Sequence, residues 1–337
     1  MQLGGSKLNK SLFKMQETGV GLALILLVVI FSLTSPDFFS LENLLNITRQ
    51  VSVITILAIA MTFVIISGGI DLSVGSNLAF VGVVTASVMV NQQISPLGAS
   101  LIGISLGIGI GIINGVLIAY LKMNPFITTL GTMTAFRGLT LLFTDGYPVY
   151  GLPKGFSSIG QGYIFGIPIP SVILVIVAVL AMVVLGRTRF GRHIYAIGGN
   201  EEGAVFSGIR VSRNKLFVYS ISGLLCGLAA VIQTSRIGSG VPNIGSGYEL
   251  DAIAAVIIGG AALSGGSGTV LGTVLGAAVL GTLSNGLSLL NVSPFIMQII
   301  SGTVILLAVL LDNIRTNISR RSAIAQSKQT FIRGNIE

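Results

Sequence analysis

Few residues in this sequence could carry covalent chemistry, and none is arranged to do so. There is one histidine, His193, and one cysteine, Cys226. No group of His, Cys, Asp or Glu has ligand spacing, which leaves neither a metal site nor a catalytic triad to propose. No Gly-x-x-x-x-Gly-Lys-[Ser/Thr] loop occurs, so any ATPase working with this chain must be a separate polypeptide. Gly107, Gly111 and Gly115 recur every four residues, but without the preceding strand and downstream acid of a dinucleotide loop. On a helix they line one face where backbones can approach closely, and Gly223 and Gly227 read the same way.

The acids beside apolar runs are more informative. Asp71 lies in Ser67-Gly68-Gly69-Ile70-Asp71-Leu72-Ser73-Val74-Gly75-Ser76. A carboxylate at bilayer depth costs about 2.5 to 3.5 kcal/mol on insertion scales, so it needs a reason. Two readings fit: a cap accepting hydrogen bonds from the helix that follows the glycine break, or part of a gate or solute path. Ser73 and Asn77, on adjoining turns, could hydrogen-bond a neutral polyol or a neighbouring helix. Gly247-Tyr248-Glu249-Leu250-Asp251 also sets acids after a glycine break, which makes Glu249 and Asp251 candidates for the same path.

A membrane bundle must position these residues. The 337-residue chain is 52% hydrophobic and only 9% charged, too little charge to cover a soluble domain of that size. Between Asp251 and Asp312 no side chain is ionisable. Splitting the apolar runs at charges, prolines and glycine clusters predicts an all-α integral membrane protein with about ten transmembrane helices. They fall near 18–35, 51–67, 72–91, 97–121, 125–143, 170–186, 216–234, 250–264, 269–290 and 294–311. The fifth contains Arg137 and the eighth is short.

Orientation follows from the cations, because short loops rich in Lys and Arg stay in the cytoplasm. With both termini cytoplasmic, only Arg49, Lys154 and Arg236 fall outward and Arg137 lies within a span. This asymmetry accounts for the net charge of +8 without any nucleic-acid partner. The organisation is then a cytoplasmic tail at 1–17, a membrane domain at 18–311 and a second cytoplasmic tail at 312–337. Within the membrane domain, 144–170 forms an outward loop, with Tyr147, Tyr150, Phe156, Tyr163 and Phe165 near the interface, and 187–215 a cytoplasmic one. The two acidic phrases, together with Pro125-Phe126-Ile127 and Pro294-Phe295-Ile296, suggest an inverted repeat of spans 2–5 and 7–10. On this topology Asp71 and Glu249 stand near opposite faces.

The cytoplasmic loop holds Gly198-Gly199-Asn200-Glu201-Glu202-Gly203-Ala204-Val205-Phe206-Ser207-Gly208-Ile209. It reads either as a solvated connector or as a short helix, ended by glycine, that receives motion from a soluble partner. SGGIDLSVGS (67–76), PFITTLGTM (125–133), GRHIYAIGGNEEGAVFSGI (191–209) and YELDAIAA (248–255), with the glycine-rich run after it, span most of the chain. In these phrases the chain resembles the permeases of the ribose, galactose, xylose and arabinose class of bacterial ATP-binding cassette (ABC) importers, and the ribose type most.

That resemblance implies an ABC ATPase subunit using ATP and Mg2+ on its own chain, an extracytoplasmic sugar-binding protein and a permease homodimer. It also implies a bacterial plasma (inner) membrane location and a small neutral sugar as solute. In such permeases a cytoplasmic Glu-Ala-Ala-x-x-x-Gly element docks into the ATPase. Here it maps onto Glu202, Gly203, Ala204 and Gly208, with Gly199, Asn200 and Glu201 leading in. Gly203 replaces the first alanine, a change expected to loosen the helix. The implied mechanism is alternating access, with no covalent chemistry and no cofactor in this chain. A nucleoside or furanose signalling molecule is the alternative solute. An ion-coupled secondary transporter is the alternative class, disfavoured by the lack of an Asp, Glu and His relay.

Overall fold

A computed structural model describes residues 4–304, 306–307 and 309–310. The expected tail at 312–337 and its cations lie outside the described residues. Capping residues visible in the sequence start half of the twelve helices described between Gly4 and Leu289. Ser40 opens α2 (Leu41–Ile66), Ser95 followed by Pro96 opens α4 (Pro96–Ala119), and Asn124 followed by Pro125 opens α5 (Pro125–Thr144). Thr188 caps α8 (Arg189–Gly199), Asn200 caps α9 (Glu201–Phe206) and Thr269 caps α12 (Val270–Leu289). In each case the side-chain oxygen accepts from an otherwise orphaned N–H of the first turn. The remaining helices are α1 (Gly4–Thr34), α3 (Val74–Asn91), α6 (Lys154–Gln161), α7 (Ile169–Arg187), α10 (Val211–Ile237) and α11 (Tyr248–Ile258). The only strands among the described residues are β1 (Tyr163–Ile164) and β2 (Ile167–Pro168), a small antiparallel hairpin.

Eight of the described helices are long and apolar enough to cross a membrane: α1 to α5, α7, α10 and α12. Helix α2 is the central one, with 83% of its most apolar stretch buried, against 6% for α1 and 17% for α5, whose apolar faces point outward. Buried polar pairs join α2 to α12. The amides of Asn43 and Asn285 bond reciprocally at 3.0 Å, and the Thr62 and Thr273 hydroxyls lie 2.7 Å apart. Such pairs hold helices together where burial from water supplies no drive.

The glycine stripes of α4 and α10 face each other. A Cβ on Gly107 would lie 2.6 Å from the Gly223 carbonyl oxygen, and one on Gly111 3.0 Å from Gly223 Cα. The expected packing role is therefore met within one chain. Cys226, on the same helix, is buried and free.

Two expectations change. The eighth span is an 11-residue helix, α11, which at about 1.5 Å per residue covers only half the hydrocarbon core. It is cut short because Gly259 and Gly260 turn the chain out of the helix. In the outward loop, Tyr147, Tyr150, Tyr163 and Phe165 are exposed, but Phe156 is fully buried, its carbonyl accepting from Ser235 on α10. Among the described residues, those from Ser293 onward belong to a separate unit, in which Pro294–Val304 is an apolar helix.

Candidate functional site

Helix α10 runs opposite to α2: its Tyr219, near the start, donates to the carbonyl of Ile70, just past the end of α2. Each of the two helices leads into an unwound segment, residues 67–73 after α2 and 238–247 after α10. The second of these folds back along α3, placing Gly240 beside Val83 and Ala86 and Gly245 beside Gly75 and Leu78. Irregular backbone at membrane depth is tolerated only inside protein or along a cavity; here Ser239, Gly240, Pro242 and Gly245 are buried, while Asn243 and Ser246 are exposed.

The first turns of α3 and α11 meet at its inner end. A Cβ on Gly75 would collide with the Gly245 carbonyl and with a carboxylate oxygen of Glu249. Asp71 and Glu249 therefore do not stand at opposite faces. Both breaks are unwound far enough to bring the two acids to neighbouring helix starts, where negative charge complements the helix dipole.

Asp71 is 2% exposed and its oxygens are both used. Oδ1 accepts from the Ser73 amide at 3.0 Å and the Ser73 hydroxyl at 2.6 Å, and Oδ2 accepts from the Ser222 hydroxyl of α10 at 2.7 Å. Asn114 of α4 donates to Ser73 Oγ at 2.8 Å. The carboxylate thus holds Ser73, the residue that opens α3, and ties it to α10, while Asn114 links the same serine to α4. Asn77 is buried one turn on, and its Oδ1, like that of Asn114, has no protein partner. Glu249 accepts from the Gly247 amide at 3.2 Å, and Asp251 is half-buried in the first turn of α11.

Arg137, which sequence reasoning registered only as an awkward charge in a span, completes the arrangement. Its guanidinium donates to the carbonyls of Pro242 at 3.0 Å and Ile244 at 2.9 Å, pinning the 238–247 segment against α5. A carbonyl in an unwound segment needs a donor, and the Nη1 amino group of Arg137 supplies both bonds. Ser222 and Asn114 were missed altogether, since a lone serine or asparagine in an apolar helix carries no signal of its partner.

Helix α8 reaches the turn after α2 and a third unwound segment, residues 259–269 between α11 and α12. The Gly266 amide donates to the Ile66 carbonyl at 2.9 Å. A Cβ on Gly265 would lie 3.0 Å from both Gly68 Cα and the Gly198 carbonyl. Tyr195 of α8 donates to the Gly268 carbonyl at 2.7 Å, and burial pushes its phenol up, so the donor proton is retained well above neutral pH. Gly198 and Gly199, at the end of α8, therefore touch the turns that precede α3 and α12 by backbone alone.

From that junction the chain enters α9. Asn200 Oδ1 accepts from the Gly203 amide at 2.8 Å. A Cβ on Gly203 would come within 3.2 Å of Asn200 Cγ, so a side chain there would press on the capping residue. Gly208, at φ +78°, ends α9: its amide bonds Val205 O at 2.9 Å, and the Ile209 amide bonds Ala204 O at 3.0 Å. This is the Schellman termination. Ala204 is buried with Ile197 and Val211, against which Ile209 packs. Glu201 pairs with Lys215 at 2.7 Å, while Glu202 and Val205 are exposed and Phe206 projects at 90% exposure. Of these, Phe206 was the residue to suspect from sequence, as a large apolar side chain on a polar knob.

A membrane bundle with unwound segments and a capped polar knob fits a multi-pass transport permease. The chain belongs to the family described as branched-chain amino acid transport system / permease component, whose pattern it matches over residues 43–309. It is 50% identical over 300 residues to the ribose import permease protein of Bacillus subtilis (strain 168), covering 88% of this chain and 93% of that one. To the ribose import permease protein of Escherichia coli (strain K12) it is 47% identical over 296 residues, 87% and 92% of the two chains. To the galactose/methyl galactoside import permease protein of the same strain it is 38% identical over 330 residues, 92% and 98%. No solved structure matches the chain.

Proposed function

We propose that this chain is the membrane-spanning permease of an ABC importer that brings ribose, or a closely similar monosaccharide, across the bacterial plasma membrane by alternating access. The family description names amino acids, whereas the relatives of 50% and 47% identity are ribose permeases and identity falls to 38% at a galactose permease. That gradient supports a pentose. ATP and Mg2+ are used by a separate ATPase chain, a sugar-binding protein delivers the solute outside, and two copies of the permease form the working unit.

The observation that carries the mechanism is the glycine junction. A push on α9 reaches Gly198, at the end of α8, through Asn200, and Gly198 bears directly on Gly68 and Gly265, at the turns before α3 and α12. The exposed Glu202, Val205 and Phe206 form the surface for the ATPase groove. Because the knob is capped at both ends, it transmits displacement instead of absorbing it.

The test is uptake of labelled ribose into proteoliposomes holding the permease with its ATPase and binding protein, with ATP inside. ATP-dependent uptake that is lost in Glu202→Ala, with the protein still in the membrane, supports importer and knob together. Uptake indifferent to ATP overturns the ABC reading in favour of an ion-coupled transporter. ATPase stimulation by the binding protein of a nucleoside or another furanose, without ribose uptake, changes the solute alone.

A further inference from the structure

Among the described residues, the basic side chains of the inner face other than Lys215 lack carboxylate ion pairs. Among the described residues Lys215–Glu201 is the one ion pair, and the remaining acid of the loop, Glu202, is exposed on α9. Arg210 and Arg213 are exposed at the start of α10 and open onto a cavity of about 350 Å³. Its walls include Phe190 and His193 of α8, and Asn214 and Phe217 of α10. The rings of Phe190 and Phe217 meet edge to face, with centroids 6.3 Å apart, and the Arg213 guanidinium lies 5.6 Å over the Phe217 ring. No acid lines this space. It has a cationic rim over an aromatic floor.

Its position decides what it meets. Phe217 is 45% exposed on a helix that crosses the membrane, so the floor borders the acyl chains while the two arginines stand at the first turn, where the polar headgroups begin. Arginine forks match phosphate oxygens, and basic pockets beside helices on the cytoplasmic side hold anionic headgroups. We propose that this cavity binds a phosphate-bearing anion, supplied by an anionic phospholipid of the inner leaflet or by a soluble phosphate ester. Gly208 and Ile209, which terminate α9, form another wall. Resting on the reading of α9 as the ATPase contact, occupancy then braces the knob and tunes coupling.

The test uses the full chain in nanodiscs of mixed phosphatidylglycerol and phosphatidylcholine, with retained lipid read by native mass spectrometry. Wild type retains phosphatidylglycerol, and Arg210→Gln with Arg213→Gln retains it roughly tenfold less, the size of one charge-assisted hydrogen bond. Arg189→Gln with Arg192→Gln removes the same charge outside the cavity and leaves retention unchanged. Equal loss in both double variants, or in neither, overturns the lipid arm. If no lipid is retained but inorganic phosphate or glycerol 3-phosphate raises the melting temperature of wild type and not of the cavity variant, the ligand is the soluble ester. If neither arm responds, the proposal falls. Loss of ATPase co-purification in the cavity variant, with lipid retention unchanged, assigns the arginines to the partner chain and overturns it too. Lipid retention by a permease that shows no ATP-dependent uptake would leave the pocket standing and remove only the link to coupling.

Discussion

Arg137 on α5 donates to the carbonyl of Ile244 at 2.9 Å, joining residues 107 positions apart. With the second bond to Pro242, one side chain holds the unwound segment against the bundle. An arginine that costs free energy within a span is retained because it satisfies carbonyls that no ladder reaches.

Replacing Arg137 by leucine should release that segment. Each bond from a charged donor contributes about 1.5 to 3 kcal/mol, so ATP-dependent uptake falls by at least about tenfold. A cysteine at Ser239, buried in the native chain, becomes reactive to a membrane-impermeant maleimide in Arg137→Leu. Unchanged labelling would show that α5 does not hold the segment.

Asp71→Asn and Asp71→Ala should differ. The amide can still accept from Ser73 and hydrogen-bond Ser222, whereas alanine leaves the Ser73 amide and the Ser222 hydroxyl buried without their acceptor, at about 1 to 3 kcal/mol each. Thermal unfolding in detergent should place Asp71→Asn near wild type and Asp71→Ala well below it. Equal losses would mean that the charge itself, not its hydrogen bonds, is what the bundle requires.

Two glycines of one helix should respond in opposite ways. Gly111→Ala drives a methyl into the Tyr219 carbonyl and Gly223, while a Cβ on Gly109 meets nothing within 4 Å. Overpacking costs about 1 to 3 kcal/mol in the first case. In the second, alanine gains up to about 1 kcal/mol of helix propensity. Melting temperatures of the two variants decide it.

Gly208→Val should uncouple rather than unfold. At φ +78° a branched side chain costs about 1 to 2 kcal/mol, paid by distorting the end of α9. The expected result is a permease present in normal amount whose ATPase is no longer stimulated by the loaded binding protein. Tyr195→Phe, which removes the bond to Gly268, should show a milder form of the same defect.

Much of this protein was determined by its sequence. Apolar length and sparse charge require a membrane bundle, and the capping residues Ser40, Ser95, Asn124, Asn200 and Thr269 mark helix starts without any tertiary information, because a cap bonds within three residues of itself. The glycine stripes announced close packing from local spacing, and the loop around Glu202 left a short helix and a solvated connector both open. Tertiary structure alone decided what those elements face. That Arg137 would meet Ile244, that Asp71 would bond Ser222, that Glu249 would reach Gly75 and that Gly198 would touch Gly265 all depend on unwound segments folding back into the bundle. Unwound backbone has no period to read, and the partners it selects lie tens to hundreds of positions away in the chain.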